Sequence, residues 1–332
     1  MAGALVYGLS LISLYFAFNY ISFMLIFTLP MALGVTMMGN ISVSKLISLW
    51  FRKYTGRALG IASVGVSFAG FVFPNLTSFL LGDLGLTWRE AYLLFGVLII
   101  LINIPVVYLF IVNKPSDINQ MPDGEEITDN AEDTSGIDWT IPELLKDKNF
   151  WILSLVFAIQ FCSMMGILSH LTFFSEGAGW SLSWGAFIFS MYAWPAMFSK
   201  VFFGWLVENK MDARLAVSIA ILIQAIATLL MIFVESPEQM VVLVMIFGFG
   251  GGSALPLSNI LFNQAYTNKS FGKARGAAQP FISIFQISGT LVAARMFDVF
   301  GNYELAFLTL GFILIVPIIA IWFMKIESKL AP

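Results

Sequence analysis

The chain has 332 residues, of which 59% are hydrophobic and only 11% charged, with a mean hydropathy of +0.87 and a formal net charge of −3. Soluble domains carry about 25% charged residues, so this chain cannot cover a water-facing surface and reads as a polytopic membrane protein with the lipid bilayer as its first partner. One cysteine, Cys162, excludes an internal disulfide, and one histidine, His170, excludes a multi-histidine centre, so no metal and no cofactor is expected.

A helix needs about 20 apolar residues to cross the hydrocarbon layer, and helix is the form that satisfies the backbone inside lipid. Ten runs fit: 2–19, 22–49, 57–81, 89–112, 150–174, 183–207, 214–234, 240–264, 275–297 and 304–324. The expected fold is all-α. The first run lacks a basic leader and a small-residue cleavage site, so it reads as a span rather than a signal peptide. Runs 22–49 and 240–264 are rich in glycine, which lets helices approach closely in a bilayer. The long polar stretch 113–149 holds 10 of the 20 acidic residues and reads as a solvated linker. It separates four spans (1–112) from six (150–332). Its end, "DWTIPELLKDKNFW", predicts a short helix along the interface.

Alternating the gaps between ten spans puts 13 of the 17 Lys and Arg residues on one side, Arg89 and Arg295 on the other, and Lys45 and Lys200 inside spans. Cations are retained on the cytoplasmic face. The clusters Arg52, Lys53, Arg57 and Lys269, Lys273, Arg275 are therefore expected in inner loops, with both termini cytoplasmic and the chain in the plasma (cell inner) membrane.

"GRALGIA" at 56–62 repeats as "GKARGAA" at 272–278, an offset of 216, and Gly34 and Gly96 fall on Gly250 and Gly311 at nearly the same offset. Parallel repeats on either side of a linker suggest two helical bundles rocking about a shared cavity. "WFRKYTGRALGIASVG" (50–65) resembles the loop-and-helix signature of the major facilitator superfamily, in its monocarboxylate and oxalate–formate branch. "GLTWREAYLLFG" (85–96) is similar to that branch's sixth-helix opening, and "ILSHLTFFSEGAGWS" (167–181) to its seventh helix and outer loop. "GWLVENKMDAR" (204–214) resembles the superfamily's inner-loop motif, with Glu208 in place of the commoner Asp. The resemblance implies a two-bundle fold of twelve helices, of which ten (4 + 6) are present, and the repeat places the shortfall of two before Met1.

The resemblance also implies roles. Lys200, in "AWPAMFSKVFFGWL", fills the slot where the branch has a basic residue, and a Lys inside a span costs about 2.5–3.5 kcal/mol unless it faces a cavity or a partner. It is the candidate anchor for a carboxylate, with snorkelling to the headgroups as the alternative. His170 is a candidate proton relay or a structural hydrogen-bonding residue. Asn40, Gln160, Asn259, Asn263, Gln279 and Gln286 lie in spans that the family places around its cavity, where polar groups bind substrate or join helices. Gly204, Glu208, Lys210 and Arg214, with Arg52, Lys53 and Arg57, form a candidate inner gate of charges and helix termini. No phosphate loop, zinc-protease helix, paired catalytic carboxylates or Gly-x-Ser-x-Gly elbow is present. Neither an enzyme nor a nucleic-acid partner is expected. The reading is a secondary transporter of a small organic anion, a monocarboxylate, by alternating access with proton symport or anion exchange. The alternative is a non-transporting sensor, partner or fragment on the same scaffold.

Overall fold

The computed structural model describes residues 1–51, 54–124, 138–209 and 211–325, and these are helical with no strand among them. Nine of the helices among the described residues are long and apolar enough to cross a membrane. In chain order they are α2 (Tyr20–Trp50), α3 (Arg57–Gly82), α4 (Trp88–Phe110), α6 (Lys148–Gly177), α7 (Trp184–Glu208), α8 (Ala213–Phe233), α9 (Pro237–Tyr266), α10 (Ser270–Phe300) and α11 (Glu304–Phe323). The tenth apolar run is shorter than expected. Helix α1 covers Ala2–Tyr15, because Asn19 caps the next helix by accepting from the Ser22 N–H and so claims the intervening residues for a turn.

Contacts divide the chain into two units. The first comprises Met1–Lys53 and Phe73–Ala131, the second Tyr54–Val72 and Glu132–Pro332. In the first unit α1 packs along α4. Helix α2 is interrupted twice. A wider turn surrounds Pro30, which has no N–H to donate, and the backbone at Gly39 becomes extended (φ −68°, ψ 175°). A capping box starts α4: Thr87 N–H donates to Glu90 Oε2 at 2.7 Å while the Thr87 side chain accepts from Glu90 N–H. Leu101, Ile102, Tyr108 and Leu109 on α4 are exposed, as lipid-facing side chains are.

The second unit has two buried apolar layers. One centres on Leu153, Phe157, Phe203, Ile221, Leu261 and Tyr266, the other on Ile167, Leu171, Ile188, Phe247, Phe307 and Leu310. The helical run Ala254–Phe300 is unbroken, yet Arg275 bonds to Asn259, sixteen residues earlier. Along one straight helix that separation is about 24 Å, so the run folds back between α9 and α10. The short helix expected at the linker's end is α5 (Ile141–Lys146). Its Leu144 is fully buried in the first layer while Ile141 and Leu145 are exposed, and Asp147 then accepts from Asn149 N–H to start α6.

Candidate functional site

Lys200 lies on α7 and is 4% exposed, which excludes snorkelling. Its ammonium donates to the Ser63 carbonyl at 2.7 Å and to Ser67 Oγ at 2.8 Å, both on the part of α3 that belongs to the second unit. Among the described residues it has no carboxylate partner. The helices come this close because of Gly60, where a Cβ would stand 3.1 Å from the Lys200 carbonyl oxygen. Both serines are buried, and Ser63 also donates its own hydroxyl to the Leu59 carbonyl.

Two turns further along α7, Glu208 receives two bonds from the start of α3. Arg57 N–H donates to Oε1 at 2.6 Å and Arg57 Nε to Oε2 at 2.5 Å. Glu208 thereby satisfies a first-turn N–H of α3 and sits at the positive end of its dipole. Gly204 is buried one turn above it. Arg214 departs from the expected gate set. It bonds to Asp212 (Nη2 to Oδ2, 2.6 Å), donates to the Met324 carbonyl and lies over the Trp322 ring, so it ties α8 to α11 and not to Glu208. The cause is local: Asp212 caps α8 by accepting from Arg214 N–H, which makes it the nearest carboxylate. Hydrogen bonds from Arg214 hold the Asp212 carboxyl below its ordinary pKa, so the pair persists at neutral pH and is lost only as acid protonates Asp212. Arg52, Lys53 and Lys210 lie outside the described residues.

The remaining candidates do not converge on Lys200 through hydrogen bonds. His170 is buried between helices, with Nδ1 3.1 Å from Tyr303 OH and Nε2 3.1 Å from the Thr290 carbonyl. A carbonyl only accepts, so Nε2 donates to Thr290. Both nitrogens are thus committed to joining α6 to α10 and to Tyr303, the residue before α11. Gln160 Nε2 donates to Gln224 Oε1 at 3.4 Å across α6 and α8. Gln279 bonds to Ser283 one turn on. Asn263 and Gln286 are half-buried without a hydrogen bond among the described residues, and the Asn40 side chain lies outside them.

Asn259 accepts from Arg275 Nε at 3.3 Å, and Ser258 Oγ accepts from Arg275 Nη2 at 3.4 Å. Arg275 is 3% exposed, lies over the Phe262 ring, and its Nη1 has no partner among the described residues. The charge pattern placed this residue in an inner loop, at the start of the run 275–297. Its repeat counterpart, Leu59, is equally buried, and that slot in the repeat was the available signal that the position faces inward. In the first unit an open cleft of about 520 Å³ is lined by Phe18, Tyr20, Phe23, Trp88, Arg89 and Tyr92, with Arg89 stacked on Trp88; Lys200 belongs to the other unit.

The described residues thus form long apolar helices with a buried cation on one of them and a charge-capped helix start. The model of the Major Facilitator Superfamily matches residues 1–234 and 183–332, and the chain belongs to that family as a multi-pass integral membrane protein. It is similar to monocarboxylate transporter 13 of Bos taurus, at 25% identity over 80% of this chain and 59% of that protein. It also resembles an MFS-type transporter of Gibberella moniliformis, at 21% identity over 91% and 68% respectively. The chain thus spans about three-fifths of the length of the first of these relatives. In fold it resembles the fucose:proton symporter of E. coli (TM-score 0.66, 14% identity, 97% of this chain and 82% of that one). The human organic anion transporter MFSD10 is a second such structure (TM-score 0.67, 14% identity, 96% and 76%).

Proposed function

We propose that the protein is a secondary carrier of a small organic anion, a monocarboxylate, working by alternating access with proton symport or anion exchange. Its place is the plasma (cell inner) membrane, with both termini cytoplasmic. The observation that carries the reading is the Lys200 ammonium, buried in a span and held by two neutral oxygens, with no counter-charge among the described residues. A buried unpaired charge is costly, and a ligand carboxylate both neutralises it and forms a strong charge-assisted bond. An ammonium is a compact point charge that suits one carboxylate oxygen rather than a two-pronged grip. The name of the bovine relative agrees with this substrate class.

The test is uptake of radiolabelled acetate, lactate and pyruvate by proteoliposomes holding the purified protein, with a proton gradient or internal anion as the driving force. Saturable accumulation is expected. Absence of flux for every carboxylate under both driving forces would overturn the carrier reading and favour a sensor or partner on the same scaffold.

Glu208 and Arg57 form the gate contact in this reading. Arg57 is about half exposed, so the ion pair is worth roughly 1 kcal/mol or less, which suits a contact broken in every cycle. Glu208→Gln is expected to change the maximal uptake rate about fivefold, the kinetic equivalent of that energy. Half-saturation should stay as it is, because neither group touches Lys200. A shift in half-saturation with an unchanged maximal rate would remove the pair from gating.

A further inference from the structure

Resting on that reading, and deepening it, we propose that the Ser63 carbonyl and Ser67 hydroxyl are resting ligands of Lys200, which an arriving carboxylate displaces. The exchange releases α3 from α7. The two acceptors are neutral, buried and at full hydrogen-bond strength. They therefore compete with substrate for the same three ammonium protons, and a carboxylate outbids them because its charge makes the stronger bond. Both acceptors stand on one helix and the ammonium on the other, so the bonds that substrate replaces are those holding the two helices together at this level. Towards one end the same helices are joined by Glu208 and Arg57, and towards the other Gly70 stands opposite Ala193. Substrate binding thus acts on one fastening of a helix pair whose other fastening is the gate contact.

A competitor differs in sign from a structural support. Ser67→Ala removes one resting ligand and leaves the other. It is expected to lower the half-saturating carboxylate concentration about tenfold, the scale of one hydrogen bond to a charged group. Ser67→Thr keeps the hydroxyl and should stay near the wild type. The effect of Ser67→Ala should vanish in a Lys200→Ala background, where wild-type and variant Ser67 alike lack the carboxylate response.

The release of α3 is read separately. In a chain with Cys162→Ser, cysteines replace Gly70 and Ala193, whose side-chain positions are 3.8 Å apart, the spacing of a disulfide. Saturating acetate or pyruvate should slow their oxidative cross-linking several-fold with Lys200 present and leave it unchanged in Lys200→Ala. Weaker or unaltered half-saturation in correctly inserted Ser67→Ala, or cross-linking indifferent to carboxylate, would overturn the proposal while wild-type uptake leaves the carrier reading standing. Absence of any carboxylate effect on the wild type, in uptake and cross-linking alike, would overturn both.

Discussion

Lys200→Ala is expected to abolish carboxylate uptake, lowering the initial rate at least about 30-fold, since truncating one partner of a buried charge pair costs about 2–5 kcal/mol. The same change should leave the protein in the membrane and fold no less stably. Without substrate the ammonium gains two hydrogen bonds to Ser63 and Ser67, each worth about 1.5–3 kcal/mol where a charge is involved. Against them stands its desolvation, about 2.5–3.5 kcal/mol on insertion scales and more in a fully apolar setting. The terms nearly cancel, so the thermal midpoint of the ligand-free variant in detergent should lie within a few degrees of the wild type. Activity and stability therefore separate, as they do when a charge is kept for a ligand. A variant that transports normally would remove Lys200 from the site, and one that transports nothing because it never reaches the membrane would show Lys200 to be a packing residue.

The spans were legible because hydropathy is a local property of the chain, and nine of ten runs reappear as helices of crossing length. The first run was drawn too long because its end, Phe16-Ala17-Phe18, is as apolar as the helix before it. Only the Asn19–Ser22 capping pair marks the turn, and a cap weighs little in a hydropathy window. Lys200 and Glu208 stood out as charges at fixed motif positions. Their partners did not, because Ser63 and Ser67 acquire meaning only once α3 lies against α7, a contact between segments over 130 residues apart. Arg214 was grouped by motif with the gate charges, while the carboxylate it bonds to is Asp212, two residues away. Arg275 was read by its charge, although its repeat position told of burial. A guanidinium and an isobutyl group can share a slot when the long side chain folds over an aromatic ring, as Arg275 does over Phe262.

Gly289→Val is expected to be the most damaging small substitution in the second unit, for a reason specific to lipid. Between helices in a bilayer there is no hydrophobic drive, so association rests on close packing of small residues. Where α6 crosses α10, a Cβ on Gly289 would fall on the Cys162 carbonyl, and one on Gly166 would stand 2.9 Å from the Gly289 carbonyl oxygen. Each glycine faces the other helix's backbone, which cannot rotate aside as a side chain does. Valine forces the two most extensively paired helices of the unit apart, at a cost of about 1–3 kcal/mol for overpacking and more if the crossing is lost. The variant should lose several degrees or more of thermal midpoint, with an aggregated fraction on size-exclusion chromatography in detergent. Gly65→Ala on α3 is the control: nothing lies within 4 Å of a Cβ there, so alanine should be neutral or stabilising by up to about 1 kcal/mol through its helix propensity. Because His170 and its bonds to Thr290 and Tyr303 lie beyond the crossing, separation of α6 from α10 should also expose that cluster to solvent exchange. An unaltered midpoint in Gly289→Val would mean that the two helices are held by their flanking apolar layers and not by backbone approach.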